Sequence, residues 1–352
     1  MIANPALPKL GLDLYSLRSQ GWDAFRLLEF AAHEGAQVVN FSEPRFLGPL
    51  NDAHLEQVRL AADRFGLEIE VGMGSICPSS TWFNAHDGTA EDQLLRMLDI
   101  AHKLGSPFVR CYQGSSEDRE GPAGGSPLEP QSQVPMDVHI ADTVGVCKAV
   151  RGAARDLGVK IAIENHAGGL TSLQLRNLIE GAGPEYVGAL FDAGNATWTL
   201  EEPYIALETL APYVLTSGIR DSAVWEVPSG AAVQWCALGD GNVGVEGLVH
   251  RFAELCPGKT FSLEIINNRS PRIFPYLEDS FWRGYRDVPA WVFGRFLKAA
   301  RSGSPYTAVP AAPPGVDEGS PEFEDYLVQQ ERRDVERAMA YARDVLQLGR
   351  AR

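Results

Sequence analysis

Short apolar segments that end in an acidic residue recur along this chain, and amphipathic helical segments separate them. The clearest three are Lys160-Ile-Ala-Ile-Glu164, Val187-Gly-Ala-Leu-Phe-Asp192 and Phe261-Ser-Leu-Glu264. Such runs are typical of parallel strands buried on both faces, whose carboxyl ends carry the polar site of an α/β barrel. Three carboxylates in one pocket repel one another, so a divalent cation is the simplest group that would hold them together. The pattern therefore predicts a cation site formed by Glu164, Asp192 and Glu264.

The alternation of strand and helix continues over most of the chain. Predicted strands lie at 10–14, 38–43, 67–71, 108–112, 160–164, 187–191, 213–219 and 261–266, with helical segments such as 138–157 between them. Eight strands in this alternation predict a (β/α)8 TIM barrel over residues 8–268. Segment 223–238 predicts a hairpin inserted after the seventh strand.

Residues 269–352 form a predicted C-terminal extension of the barrel. It begins with an aromatic- and arginine-rich loop, continues through a helix at 290–300 and a Pro/Gly-rich irregular segment at 302–321, and ends in an amphipathic helix at 331–348. The apolar face of the last helix would either wrap the barrel or meet a partner. A further irregular segment, at 114–135, predicts a long loop over the site.

Charge and cysteine usage narrow the class of protein. The 31 Lys and Arg residues against 46 Asp and Glu give a net charge of -15, which disfavours binding to nucleic-acid phosphates. The five cysteines form no Cys-x-x-Cys pair, as expected of reduced core residues in a cytoplasmic protein. The sequence shows no signal-peptide pattern and no run of 18 apolar residues, so we expect no membrane span.

Two polar residues accompany the acids at the predicted strand ends. His166 stands two positions after Glu164, so on a continuing strand both side chains would face the same side. Because imidazole titrates near neutral pH, His166 is the best candidate for a general acid or base; its alternative is a structural hydrogen bond. Asn195, three positions after Asp192, would either contact the ligand or cap a helix.

Further candidates would bind the substrate. Arg110 and Tyr112 alternate on the fourth strand, so both would face the barrel mouth. Arg269 and Arg272 lie in the loop after the eighth strand, where they would either clamp an anionic or sugar ligand or remain solvated. Arg220 is expected to pair with Asp221.

The acidic motifs together resemble a known family. Glu164-Asn-His166, Asp192-Ala-Gly-Asn195, Ile219-Arg-Asp221 and Leu263-Glu264 resemble the xylose-isomerase-like sugar isomerase/epimerase superfamily. The resemblance implies that a divalent metal, often Mn²⁺, is held by Glu164, Asp192, Glu264 and a histidine. Gly218 occupies the position of that histidine here. The change implies a weakened metal site, a disabled variant, or a glycine that lets the backbone approach a ligand.

The extension resembles a narrower group, the large subunit of bacterial C-glycoside deglycosidases. The similarity lies in Phe274-Pro-Tyr276, Phe281-Trp-Arg-Gly-Tyr285, Ala290-Trp291 and the helix around Glu331–Tyr341. It implies a lyase acting on 3-oxo-glycosides, with a small β-sandwich partner subunit in an oligomer. Under this hypothesis His166, Glu164 and Glu264 are catalytic.

Two other functions remain open. The first is a ketose or keto-sugar epimerase or isomerase, although Val224 stands where such enzymes have an arginine that grips the substrate. The second is a barrel that no longer catalyses and acts as a binding subunit, which Gly218 favours and the intact acids oppose. An endonuclease is disfavoured by the negative charge.

Overall fold

The computed structural model describes residues 6–120, 134–267, 269–307, 315–317 and 319–349. Its strands are β1 (Lys9–Asp13), β2 (Val38–Phe41), β3 (Glu68–Ser75), β4 (Phe108–Tyr112), β5 (Lys160–Glu164), β6 (Val187–Phe191), β7 (Val214–Ser217), β8 (Asp221–Val227), β9 (Gly230–Cys236), β10 (Thr260–Leu263) and β11 (Arg272–Phe274). Its helices are α1 (Ala24–His33), α2 (Asp52–Phe65), α3 (Ala90–Leu104), α4 (Ser116–Glu120), α5 (Met136–Ala149), α6 (Arg151–Leu157), α7 (Ser172–Ala182), α8 (Ala193–Ala196), α9 (Pro203–Leu210), α10 (Val245–Leu255), α11 (Ala290–Ser302) and α12 (Pro321–Asp344).

The predicted (β/α)8 barrel is confirmed. Eight strands form one parallel sheet in the order β10-β1-β2-β3-β4-β5-β6-β7. The ring closes between β7 and β10, because Ile219 bridges Leu263 in parallel and the Glu264 amide donates to the Ile219 carbonyl at 3.0 Å. All eight carboxyl ends therefore meet at one rim, which is where a barrel carries its functional groups.

Local sequence explains where the helices between the strands begin and end. Thr89 caps α3 by accepting the Asp92 amide at 3.1 Å, and Gly105, at φ 74°, ends the same helix in the left-handed conformation. The helices pack apolar faces on the outside of the sheet, as α3 does with Leu94, Leu98 and Ala101, all fully buried. The five cysteines are free and buried, in keeping with the prediction from their spacing.

Two predicted helices differ in their bounds. The segment expected at 138–157 is two helices, α5 and α6, which meet at Val150 (φ -94°, ψ 3°). The terminal helix, expected from residue 331, already begins at Pro321. Ser320 caps it by accepting the Phe323 amide at 3.2 Å, and a proline at the first helical position loses no hydrogen bond. The helix is therefore 24 residues long.

The predicted hairpin after the seventh strand is present as β8 and β9, and β11 of the extension joins it to form a second, antiparallel sheet. An aromatic cluster of Phe274, Phe281, Tyr285 and Phe296 packs against this sheet. Helix α12 instead lies on the barrel, with Val335 and Met339 buried in the main core. The extension thus packs partly on the inserted hairpin and partly on the barrel.

Parts of the two predicted irregular segments lie outside the described residues, at 121–133, 308–314 and 318. The described start of the first segment contains the short helix α4. Among the described residues, no helix has both the length and the apolar character needed to cross a membrane.

Candidate active site at the carboxyl ends of the strands

Three carboxylates converge at the rim of the barrel. Glu164 is the last residue of β5, Asp192 follows β6 and Glu264 follows β10. One oxygen from each lies within 4.8 Å of the others, and all three side chains are buried. They come from three separate strands, and only closure of the barrel brings them together. Such a group could hold a metal ion.

Two arginines neutralise these carboxylates. The Arg110 guanidinium donates to Glu164, with 2.6 Å between Nε and Oε2. The Arg220 guanidinium donates from Nη1 to Asp192 Oδ2 at 2.5 Å and forms an ion pair through Nη2 with Glu264. The predicted pairing of Arg220 with Asp221 is therefore wrong. Asp221 instead accepts the backbone amides of the hairpin, including that of Gly239 at 2.9 Å, and so closes the loop after β9.

Asn195 forms hydrogen bonds with two of the three carboxylates. Its side-chain amide donates to Glu164 Oε1 at 2.8 Å and to Asp192 Oδ2 at 2.9 Å, while its oxygen accepts from Arg220 Nη1 at 2.7 Å. Its backbone amide also donates to Asp192 at 3.0 Å, which makes Asp192 the cap of α8. Asn195 thus orients three charged groups rather than projecting towards a ligand.

Burial and neighbouring charge act in opposite directions on these acids. Burial would raise the pKa of Glu164, but its polar neighbours, the Arg110 guanidinium foremost and Arg220 with it, together outweigh burial and lower the pKa. Burial raises the pKa of Asp192, helped by the charges of Glu164 and Glu264 and opposed by Arg220. Glu164 is therefore held ionised, whereas the charge on Asp192 depends on its contact with Arg220.

A fourth buried acid, Asp13, was not among the predicted site residues. It ends β1 and accepts the Ser42 hydroxyl at 2.5 Å and the Tyr15 amide at 2.9 Å. Burial, with the charge of Glu264 nearby, raises its pKa to about 8. Asp13 closes an apolar strand just as the other three acids do, so the same sequence pattern could have found it.

His166 stacks on Tyr112, with ring centroids 4.0 Å apart and planes inclined by 11°. Its Nδ1 lies 3.0 Å from the Gly114 carbonyl oxygen. A carbonyl only accepts hydrogen bonds, so Nδ1 carries the proton and the neutral ring keeps its lone pair on Nε2. Burial lowers the pKa of His166 to about 4. The imidazole is thus neutral at pH 7, with its basic nitrogen free of any hydrogen bond to the described residues.

A cavity of about 150 Å³ opens onto this group. Arg110, Tyr112, His166, Arg220, Glu264 and Arg269 line it, together with Tyr15, Trp82, Trp198 and Trp235. A larger groove of about 890 Å³ adjoins it and shares the lining residues Glu43 and Trp82. The tryptophans were not predicted as site residues, because they reach the cavity from a loop (Trp82), a short 3-10 helix (Trp198) and the inserted hairpin (Trp235).

The two arginines predicted to bind ligand differ in position. Arg269 is exposed and lines the cavity. Arg272 pairs with Glu120 at 2.6 Å and lies over the Trp198 ring, 5.0 Å from its centroid. Its charge is therefore already compensated by a carboxylate within the protein.

The site as arranged does not fit a divalent ion. The group of possible ligands within the described chain contains the three carboxylates and no histidine, and a Cβ at Gly218 would stand 3.7 Å from Glu264 and 3.8 Å from Asp192. The Arg220 guanidinium already contacts Asp192 and Glu264. A divalent ion about 4 Å from it would meet a repulsion of about 8 kcal/mol at an effective dielectric of about 20. The ion and Arg220 therefore compete for the same oxygens.

Acids, a neutral imidazole and an aromatic cavity thus lie at the carboxyl rim of the barrel, where TIM-barrel enzymes carry their active sites. The chain belongs to the Xylose isomerase-like TIM barrel family, whose model matches residues 28–283.

Two relatives and one solved structure are similar to this chain to different extents. The chain is 31% identical over 227 residues to the uncharacterized protein YihM of Escherichia coli K12, covering 63% of this chain and 60% of YihM. It is 21% identical over 224 residues to 3-oxo-isoapionate decarboxylase of Pectobacterium atrosepticum, covering 63% and 70%. A crystal structure of D-psicose 3-epimerase in the presence of D-fructose shares the fold at 16% identity, with a TM-score of 0.58 over 96% and 99% of the two chains.

Proposed function

We propose that the protein is a cytoplasmic lyase that cleaves the C-glycosidic bond of 3-oxo-C-glycosides. It would abstract the proton next to the ketone and expel the β-substituent. One observation carries the proposal: the neutral His166 and the Arg220 guanidinium line the same small cavity. A base and a fixed positive charge facing one substrate are the two groups that enolate formation needs.

The reaction follows from these two groups. The α C–H bond breaks, its proton passes to Nε2 of His166, its electron pair forms the enolate C=C bond, and the π pair of the carbonyl moves to the ketone oxygen. The resulting enolate is stabilised by the positive charge of Arg220. The oxygen pair then re-forms the carbonyl, the enolate C=C pair shifts to form a double bond between the α- and β-carbons, and the bond from the β-carbon to the aglycone carbon breaks. The aglycone carbon keeps the bonding pair and takes up a proton, so no oxidant or reductant is required.

The cavity and its neighbouring groove suit a sugar with a bulky substituent. Trp82, Trp198 and Trp235 give the cavity of about 150 Å³ flat apolar walls beside its charged floor. The groove of about 890 Å³, which begins at Glu43 and Trp82, has the size of a pocket for a drug-sized ligand. We expect the sugar ring in the cavity and the aglycone in the groove.

The decarboxylase relative supports the choice of a 3-oxo substrate. Loss of carbon dioxide from a 3-oxo acid and elimination next to a 3-oxo group both pass through an enolate that one positive charge stabilises. The aromatic motifs of the extension, which resemble the deglycosidase large subunit, support the C-glycoside. That resemblance also implies a small β-sandwich partner and an oligomer, which light scattering on the co-expressed pair would test.

Mn²⁺ is the cation that the family resemblance implies for Glu164, Asp192 and Glu264. It would polarise the ketone if bound. The steps above do not use it, because Arg220 holds the oxygens that it would need.

The direct test is release of the aglycone from the 3-oxo derivative of an aryl C-glucoside, followed by liquid chromatography. We expect release by the wild type and its loss in His166→Gln. His33→Gln, at an exposed position at the end of α1, is the matched control and should retain full activity. Absence of release by the wild type, with and without Mn²⁺ and the partner subunit, would contradict the lyase.

An epimerase or isomerase is the second candidate, because a cavity of about 150 Å³ suits a single free sugar. It would use the same enolate and return the proton to carbon. Incubation of free ketoses in deuterium oxide, followed by mass spectrometry, would reveal solvent deuterium at the α-carbon. Absence of both aglycone release and deuterium exchange would favour the binding subunit over either enzyme.

A further inference from the structure

The Arg220 guanidinium stands at the point where the rim carboxylates converge. Its Nη1 contacts Asp192 Oδ2 at 2.5 Å and Asn195 Oδ1 at 2.7 Å, and its Nη2 pairs with Glu264. These acids belong to the group whose oxygens lie within 4.8 Å of one another. The Arg220 guanidinium thus contacts Asp192, Glu264 and Asn195. The Asn195 side chain in turn contacts the third carboxylate, that of Glu164.

Arg220 is fixed in this position from its outer side. The Trp235 ring covers the guanidinium, with 4.5 Å between Cζ and the ring centroid. Trp198 stacks on Trp235 in turn, at 4.4 Å and 19°. The Arg220 side chain is only 4% exposed. Because a guanidinium stacks well on indole and is weakly hydrated, burial under Trp235 costs it less than it would cost an ammonium.

Two glycines make room for this arrangement. A Cβ at Gly194 would stand 2.6 Å from the Cβ of Arg220, which is closer than two carbon atoms approach. Only glycine at this position therefore leaves space for the Arg220 side chain. Gly218 places no side chain beside Glu264 and Asp192, although a Cβ there would lie within 3.8 Å of both acids. Gly194 thus leaves space for Arg220 beside the carboxylates, and Gly218 provides no side chain that could serve as a metal ligand there.

We propose that Arg220 replaces the divalent metal as the permanent cation of this site. It holds the carboxylates together, excludes a metal ion and supplies the positive charge that the enolate oxygen meets. The role in exclusion stands on the contacts alone. The role in catalysis rests on the proposed function.

Metal analysis tests the exclusion without any assay of activity. Wild-type protein produced in medium supplemented with Mn²⁺ and Co²⁺ should contain less than about 0.1 equivalent of either metal, because Arg220 occupies the site. A protein that does not bind the ion also gains no stability from it. Addition of Mn²⁺ or Co²⁺ should leave its melting temperature and tryptophan fluorescence unchanged. One equivalent of bound metal, with a rise in melting temperature, would overturn the proposal.

Variants distinguish the effect of Arg220 on metal binding from the effect of the missing histidine at position 218. Gly218→His alone should still bind no metal, because Arg220 remains; its Cβ meets Leu190 at 3.2 Å, which a small side-chain shift relieves. Gly218→His with Arg220→Ala should bind about one equivalent of Co²⁺, seen by its visible absorption and a rise in melting temperature. Metal binding by the single variant, or none by a folded double variant, would overturn the proposal. If the double variant does not fold, the wild type and the single variant still decide.

Activity distinguishes failure of this inference from failure of the proposed function. If both are right, wild-type protein treated with EDTA should release the aglycone at an unchanged rate. A metal-free protein without lyase activity would contradict the function and leave the exclusion intact. A protein that releases the aglycone only after metal is added would keep the function and overturn the role of Arg220.

Discussion

Tyr112 and His166 form a parallel stack, 4.0 Å between ring centroids, at the mouth of the barrel. Tyr112 ends β4 and His166 follows β5, so two neighbouring strands place the rings in register. The stack fixes the plane of the imidazole and the Gly114 carbonyl fixes its tautomer. Together they orient the Nε2 lone pair, and no carboxylate in the described part of the chain forms a hydrogen bond with the ring.

The first prediction concerns His166 as the base. His166→Gln should lower kcat by about 10²- to 10⁴-fold, the usual contribution of a positioned base. Tyr112→Phe, which keeps the stacked ring, should retain most of the activity, whereas Tyr112→Leu should lose about tenfold through misorientation of the imidazole. Steady-state rates of aglycone release check all three. Equal rates for His166→Gln and the wild type would exclude His166 as the base.

The pH profile gives a second prediction for the same residue. Burial lowers the pKa of His166 to about 4, so the imidazole is already neutral at pH 5 and loses no further proton up to pH 8. We expect kcat/KM of the free enzyme to show no inflection near the ordinary value of about 6.5. An inflection at that pH that disappears in His166→Gln would contradict the lowered pKa.

Gly194 provides a steric test of how Arg220 is seated. Gly194→Ala places a Cβ 2.6 Å from the Cβ of Arg220, which should displace the guanidinium and destabilise the fold by about 1–3 kcal/mol. Gly145→Ala is the matched control, since it also lies in a helix, α5, and its Cβ would meet nothing within 4 Å. It should be neutral or stabilising by up to about 1 kcal/mol. Urea unfolding measures both, and equal stabilities would argue against the close packing.

The raised pKa of Glu70 leads us to expect that the free energy of unfolding falls as pH rises. It lies inside the barrel on β3, accepts the Thr216 hydroxyl at 2.9 Å, and burial raises its pKa from 4.5 to about 7. The folded state then holds a proton that the unfolded chain releases, so the contribution is complete below pH 4.5 and is lost as pH rises through 7. The loss amounts to at most about 3 kcal/mol.

Glu70→Gln, with an amide that cannot ionise, should remove this component. Urea unfolding at pH 5 and at pH 8 should then give a smaller difference for the variant than for the wild type. An identical difference in both proteins would show that Glu70 does not titrate in this range.

Glu331 fixes the terminal helix to the barrel. Its carboxylate accepts the Ser19 amide and the Ser19 hydroxyl, each at 3.0 Å. Glu331→Ala should cost about 1–3 kcal/mol, because it removes the hydrogen bonds that Ser19 makes to a buried carboxylate. Glu336→Ala, on the same helix, breaks only a partly exposed pair with Arg332 and should cost less than about 0.5 kcal/mol. Comparable losses in the two variants would contradict the anchoring role.

The alternation of apolar runs with helices was enough to predict the barrel, because burial on both faces leaves parallel strands few other arrangements. It also predicted that acids end β5, β6 and β10. The start of α12 was missed, since Ser320 caps a helix whose first turns are too polar to show an apolar stripe. Asp13 was missed although it follows the same rule as the other acids.

The partners of Arg220 could not be obtained from the sequence. Asp221 is adjacent in the chain, but successive residues of an extended segment point to opposite sides, so Arg220 turns inward to Asp192 and Glu264 while Asp221 closes the hairpin. Trp235 is no nearer in sequence than many other residues, and only the pairing of β8 with β9 brings it over the guanidinium.

Sequence alone determined the fold class, the strand ends and the residue types at the rim, because local burial and chain geometry act over a few residues at a time. Tertiary structure decided which charges meet. Electrostatic contacts depend on distance in space, and a closed barrel sets side chains more than 70 residues apart, such as Asp192 and Glu264, against the same guanidinium. For that reason the carboxylates predicted a cation, and only the folded chain showed that the cation present is its own arginine.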